Sequence, residues 1–471
     1  MITLDRKNSF TVSFGLHLVT GASHLSRRTA AALPAGLHSG HRMFIAVCEG
    51  APMRAPNFFY KGLGFAVLKR RVIKIALPIA AAALVLSACG SDDDDDKKKD
   101  GGSTAPGNSG GGNKPTWTIG FQAGLSGENA QLGINEENGA RLAVEQANAK
   151  GDLPFTLKFK TSDDEASETK SVSAAQKLID DNNVVAVIGP AFSGPTKAAS
   201  PNYAKAKLAT VSPSATNPSL TNAENNFTAF LRGAPNDNAQ GGGMAKYLSK
   251  KLQVKKVFVV DDKTEYGVGL SKVAKDELTK AGVQVVSDSV PKATPDYGPI
   301  STKIKNSGAD AMIYAGYYQD GAPFAKKLKE AGFTGPKFSG DGTNDSQFVS
   351  LAGDAANDWF LTCPCADANV EAATKQFTED YKKRFNTNPS TYSAESFDIA
   401  NLVIDQMKSF GAEKITREAM LTKLKGASYK GLTKTFKFKP NGEFDGATTF
   451  IYQVKGGKIG YMGDIDQLVG G

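Results

Sequence analysis

The chain has 471 residues, 40% of them hydrophobic and 9% aromatic, enough for two or three packed domains and too apolar for a disordered chain. Its formal charge of +8 is a property of residues 1–88, where eleven Lys and Arg face two acidic residues; the rest holds 45 basic and 46 acidic groups, so a nucleic-acid-binding body has no electrostatic support. His17, His24, His38 and His41 all lie in that first segment, which excludes a Ser-His-Asp triad, a Cys-His dyad, a histidine base or a His-ligated metal from everything after it.

The apolar run Val72–Leu86 follows Lys69, Arg70 and Arg71 and carries Lys74 near its start. Its 15 residues are short for a membrane helix of about 20. A basic segment followed by a short apolar one is a secretory signal. It ends in Leu86-Ser87-Ala88-Cys89-Gly90, which resembles the bacterial lipobox and marks Cys89 as the lipidated new N-terminus. Acyl chains there anchor a protein stably. Residues 1–66 precede a complete signal and are expected to be an upstream extension from a start site assigned too early. The signal itself occupies 67–88. Residues 89–115, with Asp92–Asp96 and many Gly, Ser and Pro, read as a solvated tether.

From Thr116 onward, β-rich runs alternate with helical patterns, the signature of parallel sheets covered by helices on both faces. Strands are expected at 117–123, 156–160, 184–188 and 208–211. Helices are expected at 136–149, 168–182 and 195–206, with a break near Pro201. A second series follows, with strands at 256–260, 283–290, 311–314, 337–339 and 359–361. Its helices fall at 267–281, 300–306 and 321–331. Two more helices, 371–385 and 393–410, precede strands at 434–438 and 448–454. Two such series imply two lobes, and in open α/β sheets ligands bind beyond the carboxyl ends of strands.

The loops at those ends share a chemistry. Ser193, in Gly189-Pro190-Ala191-Phe192-Ser193, is placed to cap the next helix, whose free N–H groups favour an anion. Ser212-Pro213-Ser214-Ala215-Thr216-Asn217 supplies further hydroxyls and amides. In the second series, Tyr317 and Tyr318 end one strand, and Asp341 stands between Gly340 and Gly342, where a carboxylate can approach and pair with an ammonium. Singly, these are a routine helix cap, a polar loop and a turn residue. Jointly they suit the head group of an amino acid.

With these segments in order, the chain resembles the leucine/isoleucine/valine-binding protein family of ABC-transporter receptors over roughly residues 117–460. The carrying segments are Leu125-Ser126-Gly127, Val187-Ile188-Gly189 with Ser193, Ser212–Pro218, Asp262-Lys263 with Tyr266-Gly267, and Ala315-Gly316-Tyr317. The resemblance implies a periplasmic-binding-protein type I fold: two doubly wound parallel-sheet α/β lobes joined by a three-crossing hinge near 231–236, 362–366 and 445–449. It divides the body into lobe I, 116–233 with 367–446, and lobe II, 236–361 with 448–471.

The resemblance also implies roles. Ser193 and Thr216 would bind a ligand carboxylate, with Ser214 in the ligand site at the small position two residues before Thr216, and Asp341 and Tyr317 would hold its ammonium. Tyr266 would close over the ligand, while Phe192 and Tyr392 would line the side-chain pocket. The expected protein is an extracytoplasmic, lipid-anchored, monomeric receptor for an amino acid of branched-chain or related type. Its partners are a membrane permease and ATPase, with no cofactor, no metal, no nucleic acid and no catalysis; a sensor for amides or aromatic acids is the alternative. The family often has Glu at the position of Asp341 and an aromatic at that of Leu132, and the first-lobe cystine is absent here.

Cys363-Pro364-Cys365 falls in a hinge crossing. Export permits a disulfide there, with two free thiols as the alternative. A metal site lacks further Cys or His to complete it. Ser167-Glu168-Thr169-Lys170 matches the S-x-x-K of penicillin-recognising enzymes without a K-T-G or S-D-N partner. Gly267-Val268-Gly269 lacks the third glycine of a dinucleotide fingerprint.

Overall fold

The structure is a computed structural model and describes residues 114–411 and 413–470. Residues 1–113, with the expected signal, Cys89 and most of the tether, lie outside the described residues.

The chain opens as β1 (Thr116–Ala123), α1 (Ala130–Lys150), β2 (Thr156–Asp163), α2 (Glu168–Ile179), β3 (Val184–Ile188), α3 (Ser193–Lys205), β4 (Ala209–Ser212) and β5 (Phe230–Arg232). These strands form one parallel sheet in the order β2-β1-β3-β4-β5. Central β3, Val-Val-Ala-Val-Ile, is wholly buried, because helices cover both faces of a parallel sheet. Edge strand β2 instead alternates exposed and buried positions over its first three residues. Ser167 caps α2 by accepting from the Lys170 N–H, and Gly151 ends α1 in a left-handed turn.

The chain then builds α4 (Asp237–Lys246), β6 (Lys256–Asp261), α5 (Glu265–Lys280), β7 (Gln284–Ser289), α6 (Gly298–Asn306), β8 (Ala311–Ala315), α7 (Tyr318–Glu330), β9 (Lys337–Ser339), α8 (Ser346–Ala352) and β10 (Trp359–Cys363). It returns to the first lobe as α9 (Lys375–Phe385), α10 (Ser393–Lys408), α11 (Arg417–Lys425) and the small hairpin β11 (Ser428–Lys430) and β12 (Thr435–Lys437). There α10 packs on α1. The Arg417 guanidinium donates to the carbonyls of Val184, Ile179 and Asp181 at 3.0, 2.8 and 2.9 Å, fastening α11 to the first sheet. The chain finally rejoins the second sheet as β13 (Phe450–Lys455), β14 (Lys458–Asp464) and α12 (Ile465–Val469). That sheet runs β14-β13-β10-β9-β8-β6-β7.

The result is two α/β lobes joined by three crossings, after β5, β10 and β12. The second sheet is not wholly parallel: β13 and β14 pair antiparallel at one edge, a close return that needs no crossover helix. The strand expected at 434–438 is present as β12, but it pairs with β11 in a separate hairpin and belongs to neither large sheet. Pro201 does not break α3, which runs on to Lys205. Its missing N–H costs one hydrogen bond, and buried Ala199, Ser200 and Tyr203 hold both sides of it against the sheet. The helix expected from 136 begins six residues earlier, at Ala130, and this displacement decides the character of the cleft.

Candidate functional site

Loops at the carboxyl ends of both sheets face each other across a cleft, and direct contacts close it. The Asn135 amide donates to Asp345 Oδ2 at 2.9 Å, the Gln319 N–H to Asn129 Oδ1 at 3.1 Å, and the Asn217 amide to the Glu265 carbonyl at 2.6 Å. Lys197 pairs with Glu265 at 2.9 Å on the rim.

Asp341 sits at the centre, in a single turn after β9. Ser339 Oγ donates to Thr343 Oγ1 at 2.7 Å and Thr343 Oγ1 to the Gly316 carbonyl at 3.0 Å, which pins the turn to β8. Gln240, from the first turn of α4, grips Asp341 twice. Its Nε2 donates to Oδ1 at 2.7 Å, and its Oε1 accepts the Asp341 N–H at 3.1 Å. Tyr266 OH also donates to Oδ1, at 2.8 Å, and Tyr392 OH to Oδ2 at 2.9 Å. Tyr392 immediately precedes α10 of the first lobe, so its bond ties one lobe to the other.

Around this carboxylate lies a nearly filled cavity of about 20 Å³, room for about one water. Leu132, Glu136, Ala191, Phe192, Ser214 and Tyr392 line it from the first lobe. Tyr266, Tyr317, Asp341 and Gly342 line it from the second. The rings of Phe192 and Tyr317 lie 5.3 Å apart and those of Tyr266 and Tyr317 4.9 Å apart, so aromatic faces form most of its wall. Phe192 and Tyr317 also border a second cavity of about 340 Å³ farther out in the cleft.

The site is rich in carboxyls and its lining contains no Lys or Arg. Burial raises Glu136 to about 8, and the neighbouring charges of Asp341, Glu395 and Asp164 add to the rise. Asp237, buried beside Asp341 and bonded to Gln240 at 3.0 Å, is likewise raised to about 8, chiefly by burial. Asp341 is pushed upward by burial, although its three side-chain donors oppose the shift. The Arg232 guanidinium, whose charge is felt by Asp237, is spent elsewhere. It pairs with Glu443 at 2.8 Å and donates to the carbonyls of Ala215 and Asn217.

Six of the eight residues singled out in the sequence, Phe192, Ser214, Tyr266, Tyr317, Asp341 and Tyr392, thus meet at one cavity. Ser193 and Thr216 do not line it. Ser193 is not a helix cap either: Phe192 holds that position, and Ser193 Oγ accepts the Asn217 N–H at 3.3 Å. Thr216 is fully buried, with its hydroxyl unpartnered and its carbonyl accepting the Asp237 N–H at 2.9 Å. Ser214 Oγ donates to the Ala191 carbonyl at 2.7 Å. Cys363 and Cys365 are joined in a disulfide, both buried, where β10 leaves the second sheet.

Glu136, Gln240 and Asp237 were not foreseen. A helix starting at 136 would leave Glu136 as a first-turn surface residue. With the helix starting at Ala130, Glu136 stands one turn after Leu132 on the same face and turns into the cleft.

Residues 116–458 match the model of a family described as periplasmic binding protein. The chain is 30% identical over 350 residues to the Leu/Ile/Val-binding protein BraC3 of Rhizobium johnstonii, covering 73% of this chain and 92% of that one. Among solved structures, it is similar to the branched-chain amino acid transporter substrate binding protein LivJ of Streptococcus pneumoniae in complex with isoleucine. The TM-score is 0.67 and the identity 27%, over 74% of this chain and 99% of the other. A solute binding protein from R. palustris in complex with benzoate has the same fold, with a TM-score of 0.67 at 19% identity over 74% and 96% of the two chains.

Proposed function

The chain belongs to the periplasmic binding protein family, and on that premise we propose that it captures a free amino acid between its two lobes for an ABC importer. The observation that carries this reading is Asp341: a buried carboxylate at the lobe interface, walled by aromatic rings, with no protein cation in the cavity. An α-ammonium supplies the missing positive charge, and apolar walls suit an aliphatic or aromatic side chain. Ligand held by groups of both lobes favours the closed arrangement, because only that arrangement makes both sets of contacts. Lipidation at Cys89 would hold this receptor at the membrane beside a permease and its ATPase, with the tether giving it reach. No step of chemistry on the ligand is involved.

The test is a thermal-shift and calorimetric screen against the twenty L-amino acids, benzoate and short amides. A ligand at a hundred times its dissociation constant adds about 2.7 kcal/mol of stability. Binding of one or a few amino acids, abolished or strongly weakened in Asp341→Asn, is the expected result. Binding of benzoate or amides alone would remove the ammonium from the reading and leave a receptor for amine-free ligands. The aromatic wall and the benzoate-bound relative favour that second reading, whereas the Asp341 carboxylate, with no cation among the residues lining the cavity, opposes an anion.

A further inference from the structure

Asp341 is not an idle acceptor. Its two oxygens already receive Gln240, Tyr266 and Tyr392, so three of the roughly four lone-pair directions of a carboxylate are used. Glu136, on the facing wall, is the opposite case. It is 1% exposed, lines the same cavity, and its Oε2 has no hydrogen-bond partner. A buried, unpartnered carboxyl oxygen beside a binding cavity is costly unless something occupies it. An ammonium has three N–H donors, more than the single remaining direction on Asp341 can accept.

Resting on the amino acid reading above, we infer that Glu136 is the second anchor of the ligand's amino group, which bridges Glu136 of the first lobe and Asp341 of the second. One cation then compensates two carboxyls carried by opposite lobes. The cation lets both carboxyls ionise inside the closed cleft, so the amino group serves as the electrostatic clasp between the lobes. A neutral or anionic ligand of the same shape leaves Glu136 protonated and Asp341 without a cation, and so forfeits both ion pairs, which gives the site a preference for amines over their des-amino acids.

The groups facing Glu136 are Asp341 after β9, Glu395 in α10, Asp164 after β2 and the Ser214 hydroxyl. Asp237 faces Asp341 from α4, and Tyr266, Tyr317 and Tyr392 complete the wall. Lys434 reaches Glu395 at 3.2 Å, so its charge is engaged there. In the unliganded cleft Glu136 holds a proton up to about pH 8. An ammonium expels that proton, so affinity rises with pH below that value by up to about tenfold per unit.

The experiment is calorimetric titration of the wild type, Glu136→Gln and Asp341→Asn with each of the twenty L-amino acids at about pH 6, 7 and 8, with melting curves of each unliganded protein. Expected is an affinity about 10- to 100-fold weaker in Glu136→Gln for whichever amino acids the wild type binds, the loss of one hydrogen bond to a charged group. Its pH dependence should be flatter than that of the wild type, and its unliganded melting temperature no lower. Affinity within about threefold of wild type and an unchanged pH profile, with Asp341→Asn still defective, would overturn the bridge and leave the amino acid reading intact. A lowered melting temperature with an unchanged pH profile would assign Glu136 a purely structural role and also overturn it. Failure of every amino acid to bind the wild type would remove the reading on which the bridge rests.

Discussion

The buried acids make the unliganded protein lose stability as pH rises, and Glu136→Gln tests this quantitatively. Glu136 moves from 4.5 to about 8 on folding, mainly through burial. Between those values the folded chain keeps a proton that the unfolded chain has released. Its contribution to stability is therefore largest at low pH and declines as pH rises toward 8, at about 1.4 kcal/mol per pH unit. Asp237, raised from 3.8 to about 8, declines in parallel. Asp341 and Asp345 are also raised by burial, but they are common to wild type and variant and so cancel in the comparison. The described body contains no histidine, and Asp164, Asp262 and Asp398 rise only to about 6. From pH 6 to 7.5, Glu136 alone accounts for roughly 2 kcal/mol. With an unfolding entropy of about 0.75 kcal/mol/K for a body of this size, that is about 3 °C in melting temperature. The assay is calorimetric melting of ligand-free protein at half-unit steps of pH. Wild type should fall by about 3 °C over this interval for each of the two acids, and Glu136→Gln should lose only the Asp237 share while gaining stability near pH 8. Parallel wild-type and variant profiles would refute the reasoning, because they would mean that Glu136 is hydrated and ionised in the fold.

Asp341→Asn should cost about 2–5 kcal/mol of amino acid affinity by calorimetry, with little change in ligand-free melting, because the neutral amide keeps the shape while losing the charge. Arg232→Met should destabilise by about 3–5 kcal/mol in denaturant melts, since it strands Glu443 and two carbonyls. Adding Glu443→Gln should recover part of that loss. Gly139→Ala should lower the melting temperature by several degrees, because a Cβ there would lie 2.0 Å from the Ser393 carbonyl oxygen and force α1 away from α10. Lys197→Ala should change stability by less than about 1 kcal/mol, because its pair with Glu265 is a half-exposed rim contact.

Much was legible in the residues because it depends on local pattern. The all-apolar run Val184–Ile188 can only be a strand buried on both faces, and it is β3. The alternation of such runs with amphipathic segments dictated two α/β lobes, and the loops after the strands marked Phe192, Ser214, Tyr266, Tyr317 and Asp341 as neighbours before any distance was known. The absence of histidine after residue 88 and the near-neutral charge of the body are likewise properties of composition alone.

What the sequence did not show depends on which partners the folded chain brings near. Helix α4, with three consecutive glycines, has poor intrinsic propensity. It forms because α5 packs so closely that a Cβ on Gly241 would come within 2.9 Å of Val273, and that close approach delivers Gln240 to Asp341. Ser193 and Thr216 have the right chemistry for a carboxylate, yet the geometry turns Ser193 toward the Asn217 N–H and buries Thr216. Glu136 is a strongly polar residue in a helix rich in polar residues, and nothing in its neighbours along the chain marks it as buried. Its environment is set first by burial, then by the opposing Ser214 hydroxyl and by the charge of Asp341 from 205 positions away, and a proton affinity governed by desolvation follows from enclosure by two lobes, which is a property of the fold and not of any segment of it.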